Sequence, residues 1–577
     1  MAVKQSAIVE ILSYPILLSV EIAAAVNDSH SFKSQCYKLG KQVDCLCQML
    51  RSAARLASSS TPFYDRPFRR IAANVSLNLE KSLTLAKKCS RRCILLRLIT
   101  FVSAADFDKL FSLLDSSVAD MKLFLSIYDA SNGGIDLSLL PIASNPILSL
   151  VWFLIASHRM GKLQDKIEAA CELLSLAKEN DRNKQIIVDE GGVLPLLKLL
   201  NDNSSPDGQF AASSTLFHLS NSQERVQAII NDPGIPIIVH TLNHSSMKVQ
   251  IGVCNLVAKM AEHYPLAKEK FVNVIRPLVN LLSFGLFMDD LVLLMDDLGL
   301  HSSIHLIDQI VKEIGKPELK IRCAEALWML AKGSVQNSRR ITESKGLLCL
   351  AKLVEIESGE LQSNCLMTIM EITAAAESDA HLRRETFESN SPASKAVVNQ
   401  LLRVIKDSDD VRMQIVAIRA IGCLARIFTA RETRVIEALI QLLDHRDQEV
   451  GAEAAGVLGK FACSDNFLCV EHSKTIIKFG GVDPLVRLLR GNEKAMLNGL
   501  VLMCYLSIHV GMSDELERAG LLNVFEEVGR GFMGRHPELK ELITQAINHL
   551  SIFNQSDSGL LAQRLFRIDE WLDLRWL

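Results

Sequence analysis

The decamer Gly191-Gly192-Val193-Leu194-Pro195-Leu196-Leu197-Lys198-Leu199-Leu200 returns late in the chain as Gly480-Gly481-Val482-Asp483-Pro484-Leu485-Val486-Arg487-Leu488-Leu489. Weaker copies lie between the two. Each has an apolar segment ending in a Leu-Leu-like pair, a polar break, and an Ala-rich segment closing on Leu-x-x-Leu-Ala. The pair falls at Leu200, Leu242, Leu282, Val354, Ile405, Leu443 and Leu489. A period of roughly 40 residues, built from helical spacings, predicts an all-α array whose units bury their apolar faces only by stacking. Glycine supplies the sharp turn into each packing helix. Such a chain offers a long surface rather than a reaction centre.

The interval from Leu282 to Val354 is nearly two periods, which an additional unit around 302–333 would fill. Within it, 284–300 carries Met-Asp-Asp-Leu twice. This reads as a loop insertion, with an acidic docking motif as the alternative.

The first 160 residues lack the repeat. Long helical patterns near 4–27, 31–58, 66–88, 104–130 and 143–160, separated by turn signals such as Asn132-Gly133-Gly134, predict an antiparallel bundle. The expected organisation is a bundle over 1–160, about eight or nine repeats over 162–555, and an amphipathic tail over 560–577 with Trp571 and Trp576.

At 577 residues, 49 % apolar and 6 % aromatic, the chain exceeds one core and favours Leu/Ala-rich helix over sheet. A net charge of −3 gives no global attraction to nucleic acid. The 14 cysteines form no C-x-x-C pair and many sit in apolar stretches. They read as reduced core thiols of a cytoplasmic or nuclear protein, with no metal site. The charge-free run 11–20 and the apolar run 146–156 are both too short for the ~20 residues of a membrane span.

Catalytic signatures are missing. Gly529-Arg530-Gly531-Phe532-Met533-Gly534 matches G-x-G-x-x-G but has no strand before it, so it reads as a linker between helices. There is no P-loop, H-E-x-x-H or G-x-S-x-G, and the 14 histidines are dispersed. The expectation is a non-enzyme without cofactor. Two basic clusters, Arg66/Arg69/Arg70 and Lys87/Lys88/Arg91/Arg92, read as solvated helix ends or as a patch for anionic lipid or an acidic partner.

Several stretches carry a family resemblance. Ala326-Leu327-Trp328-Met329-Leu330-Ala331 and its continuation to 343, Asn364-Cys365-Leu366-Met367-Thr368-Ile369, Asp465-Asn466-Phe467-Leu468-Cys469 and His536-Pro537-Glu538-Leu539 resemble armadillo-repeat proteins. More closely, they resemble the plant "armadillo repeat only" family. The resemblance implies a right-handed superhelix behind an N-terminal bundle. It also implies a scaffold for polarised growth, linked to Rho-type GTPases, their exchange factors and actin, in the cytoplasm, at the cell periphery and in the nucleus. The tract 284–316 departs from the family pattern, as a divergent loop or a gene-model artefact.

Importin-α-like arrays hold basic peptides with Trp and Asn one turn apart on each third helix. Counting back from Leu-x-x-Leu-Ala, the Trp positions here hold Ser214, Asn255, Glu325, Met367, Arg419, Gly456 and Val501. The Asn positions hold His218, Lys259, Met329, Glu371, Cys423, Lys460 and Tyr505. No repeat keeps the pair, which disfavours nuclear-import carriage. His218, Lys259, Arg419 and Lys460 make the predicted groove basic, with Ser214, Asn255 and Cys423 beside them and Tyr505 as an aromatic anchor. The expected ligand is an extended acidic or phosphorylated segment of a partner protein. Two alternatives stand. One is an adaptor in ubiquitin-ligase pathways, lacking a U-box because 130–165 has no room for one. The other is a membrane-tethered structural protein, although Ala2 replaces the glycine that myristoylation needs and the C-terminus has no prenylation cysteine.

Overall fold

The computed structural model describes residues 2–58, 64–90, 102–126, 145–231, 233–286, 317–388, 391–511, 513–521, 524–525 and 535–553. Among them there is no strand. The chain divides into two compact units, Met1–Tyr264 and Pro265–Leu577.

The first unit opens with α1 (Ala2–Asn27), α2 (Lys33–Ser58), α3 (Asp65–Ser90) and α4 (Ala104–Ser126). These lie close to the expected bundle helices. α1 packs on α2 and α3, and α4 packs on the same two. Their seam is apolar: Leu39, Leu46, Phe68, Val75, Leu79, Phe107 and Leu114 are fully buried. The fifth expected helix, α5 (Pro146–Met160), is started by the Asn145 side chain accepting from the Leu148 N–H. It packs on Leu163–Glu179, Asp181–Asp189 and Val193–Leu200, the first helices of the array. The bundle and the first repeats therefore share one compact unit, which ends at Tyr264.

Each repeat has a short first helix, a packing second helix and a longer third helix. In the first unit these are Asp181–Asp189, Val193–Leu200 and Pro206–Leu219, then Gln223–Ile230, Gly234–His244 and Met247–His263. Third helices stack in succession: Leu163–Glu179 on Pro206–Leu219, and that on Met247–His263. The second unit repeats the pattern, with its third helices Pro317–Ala331, Gly359–Ser378, Val411–Cys423, Gln448–Ala462, Glu493–Val510 and Lys540–Phe553 each packed on the next. Small residues set the approach distance. A Cβ on Gly422 would lie 2.7 Å from Val457 Cγ2.

The long interval has a different origin from the one its spacing suggests. The second helix Val272–Ser283 packs directly on the third helix Pro317–Ala331. Across the same repeat, the buried Asn337 amide donates to the carbonyls of Lys268 and Leu330, at 3.0 Å each. The tract 284–316 is thus an insertion between two helices of one repeat; residues 287–316 lie outside the described residues.

The repeated Gly-Gly works by two distinct constraints. Gly191 and Gly480 sit at φ +82° and +76°, where a side chain strains the backbone, and Lys345 occupies the same left-handed position at φ 62°. The second glycine is held by contact. A Cβ on Gly481 would lie 2.9 Å from both the Ile476 side chain and its carbonyl oxygen, and one on Gly192 would meet Ile187 in the same way. Gly481→Ala is expected to cost about 2 kcal/mol or more through overpacking against backbone. Gly480→Ala, with open space around its Cβ, should cost only about 1 kcal/mol. Urea denaturation of the two variants decides the order; equal losses would refute the contact argument.

Candidate functional site

The exposed row of the array is formed by its third helices, because stacking buries their other sides. In the first unit, Ser214 and His218 share this face with Asn255 and Lys259, all half-buried. Lys178, on the preceding third helix, and Lys184 lie near His218. Burial, reinforced by these two cations, holds the His218 imidazole below its ordinary value, so it is neutral at pH 7. Lys178 has no ion-pair partner among the described residues. Lys184 reaches Asp181 at 3.6 Å and Lys259 reaches Glu262 at 3.2 Å, both on their own helices or one turn away.

The second unit is arranged differently. Arg419 pairs with Glu453 of the next third helix at 2.5 Å, and Lys494 of the one after it reaches the same carboxylate at 2.7 Å. Lys460 reaches back over an entire repeat to Glu377 at 2.7 Å. Glu377 in turn takes a hydrogen bond from the Cys423 thiol. Burial, with that carboxylate beside it, pushes Cys423 up to about 12, and the side chain is buried. Tyr505 stacks on His509 with centroids 6.2 Å apart. Its hydroxyl is raised to about 12 by burial and by a hydrogen bond with Cys463.

The eight expected groove residues therefore fall into two groups. Ser214, His218, Asn255 and Lys259 form one continuous face. Arg419 and Lys460 are on the equivalent face but neutralised, Tyr505 is engaged, and Cys423 lies beneath the surface. The neutralising carboxylates, Glu453 and Glu377, lie on other third helices and outside the counted positions, so counting along one helix does not find them. At Gly456 a Cβ would lie 2.8 Å from Asn498 Nδ2, so any larger side chain there requires the Asn498 side chain to move. Trp328 is half-buried.

The basic clusters also resolve unequally. Arg70 pairs with the buried Glu190 carboxylate at 2.7 Å, and Arg69 with Asp65 one turn away at 3.1 Å. Arg66 donates to the Asp189 carbonyl. Arg66 and Arg70 tie α3 to the first repeat, whereas Arg69 pairs within its own helix. Lys87 lies 3.6 Å from Glu21, Lys88 is half-buried, and Arg91 and Arg92 lie outside the described residues. So do 529–534 and the tail 560–577.

Among the described residues no cysteine forms a disulfide, no group of three or more His, Cys, Asp or Glu side chains could hold a metal ion, and no helix is long and apolar enough to cross a membrane.

Three-helix units stacked through their third helices define an α-solenoid. Residues 180–221, spanning the first complete repeat, match the armadillo/beta-catenin-like repeat. The fold is an all-α armadillo-type solenoid, with one armadillo repeat matched directly. Residues 9–129 match a domain of unknown function (DUF7792), covering α2, α3 and α4 and most of α1. An engineered protein of known crystal structure is similar in fold, with TM-score 0.55 and 20 % identity over 79 % of this chain and 97 % of that one. A designed armadillo repeat protein gives TM-score 0.38 and 19 % identity over 48 % of this chain and 99 % of its own. Another, solved in complex with the peptide (KR)4, gives 0.38 and 17 % over the same shares. A comparison with curated proteins gives no match.

Proposed function

We propose that this protein is a non-enzymatic scaffold that holds an extended acidic segment of a partner along the third-helix face of its first unit. The observation that carries this reading is the contrast in charge pairing. Among the described residues Lys178 has no ion-pair partner and Lys259 pairs only with Glu262 on its own helix, whereas Arg419 and Lys460 are each bound to a carboxylate of another repeat. An incoming anionic segment gains most where the cations are not already neutralised. Partners in this reading are signalling proteins, Rho-type GTPase exchange factors among them, acting in polarised growth in the cytoplasm and at the cell periphery. That assignment rests on the sequence resemblance.

The engagement of Arg69 and Arg70 removes half of the support for a membrane tether, and no described feature favours a ubiquitin-ligase role. The test is charge reversal on each face. Lys178→Glu with Lys259→Glu should reduce capture of partner proteins from cell extract at least tenfold, while Arg419→Glu with Lys460→Glu should change it less. Equal losses from the two pairs would place the binding face elsewhere.

A further inference from the structure

A cavity of about 270 Å³ lies at the join between α5 and the first repeat. Three cations line it, each from a different helix: Arg159 near the end of α5, Lys166 in the Leu163–Glu179 helix and Lys198 in Val193–Leu200. None has an ion-pair partner among the described residues. Arg159 instead lies over the Tyr64 ring at 4.7 Å from its centre. The lining carboxylate, Asp202, accepts from the Ser204 hydroxyl at 2.6 Å and the Ser204 N–H at 3.0 Å, and these bonds hold it ionised. His158 completes the polar lining. It is 3 % exposed, and its Nε2 has no hydrogen-bond partner among the described residues. Leu194, Pro195 and Leu199 form an apolar wall.

We propose that this cavity binds a small soluble phosphomonoester, with its phosphate facing Arg159, Lys166, Lys198 and His158 and its organic body against the apolar wall. Three cations against one carboxylate leave two positive charges, which match a phosphate dianion. Orphaned polar groups in buried sites mark unmet hydrogen-bonding capacity, and the His158 nitrogen is such a group. The volume exceeds a bare phosphate and approaches the lower end of small-molecule pockets, about 300 Å³. This suits a phosphorylated sugar or cyclitol. The field of the cations is evident at His158, which burial, with Lys166 and Arg159 adding to it, holds neutral down to about 4.

The test is isothermal titration of the full chain with glucose 6-phosphate, inositol trisphosphate, inorganic phosphate and unphosphorylated glucose. Flotation with vesicles containing phosphatidylinositol bisphosphate forms a separate arm. Saturable binding of at least one soluble phosphomonoester, with no binding of glucose, is expected. Lys166→Gln with Lys198→Gln should weaken it at least tenfold, while Lys474→Gln, a surface lysine elsewhere, leaves it unchanged. Lys198→Glu alone reads the same effect, since this side chain is exposed and its exchange does not disturb the core. Absence of binding by every soluble phosphate compound, binding indifferent to these substitutions, or binding to vesicles only would each overturn the proposal.

Discussion

Replacing Arg70 by methionine is expected to destabilise the first unit by about 3–5 kcal/mol. The reason lies in its partner rather than in Arg70 itself. Glu190 receives three contacts from the bundle side, two on its side chain, which is 3 % exposed, and one on its backbone carbonyl. Arg70 meets one carboxylate oxygen at 2.7 Å, and the Trp152 indole N–H donates to the other at 2.9 Å. The Tyr64 hydroxyl donates to the Glu190 carbonyl at 2.6 Å. Removing the guanidinium leaves a buried carboxylate with one neutral donor. Since Arg70 itself is half exposed, removing Glu190 instead strands less charge. Glu190→Gln in the Arg70→Met background should therefore recover a large part of the loss. The double-mutant cycle, measured by chemical denaturation, isolates the coupling. Hydrogen exchange should locate the weakening in α3, α5 and Asp181–Asp189. Additive losses, with no recovery in the double variant, would show that the two side chains act independently.

The second large effect is acid sensitivity. His158 has its native value lowered to about 4 from an ordinary 6.5, chiefly by burial. A lowered histidine favours the neutral native form. Its contribution is full above pH 6.5, declines as pH falls through that value, and is lost by about pH 4. The whole step amounts to about 3 kcal/mol. His472 and His509 are shifted in the same direction by burial and steepen the same window. The lowered carboxylates, Asp181, Asp444 and Glu453 among them, lose their contributions only at lower pH. Glu371, raised by burial, works in the opposite sense. Stability measured in phosphate-free buffer should fall between pH 6.5 and 4, and His158→Gln should flatten that fall. An identical slope in the variant would remove His158 as its source.

The repeat period, the positions of the helices and the identity of the third-helix row were legible in the sequence. Each depends on a local pattern: apolar spacing fixes which side of a helix is buried, and a glycine pair fixes how the next helix starts. Ser214, His218, Asn255 and Lys259 could be counted onto one face for that reason. The insertion at 284–316 was harder, because a doubled interval looks the same whether a repeat has been added or one has been split. Only the packing of Val272–Ser283 on Pro317–Ala331 separates the two.

What the tertiary structure decided is which of the counted cations are free. Lys460 is neutralised by Glu377 two repeats earlier, and Arg70 by Glu190, far along the chain in the first repeat. The phosphate-sized cavity likewise draws its charges from three separate helices. Period and composition locate a charge on a face. Whether that charge is satisfied depends on distances of a few ångströms between elements remote in sequence, because an ion pair weakens steeply once water enters between its partners.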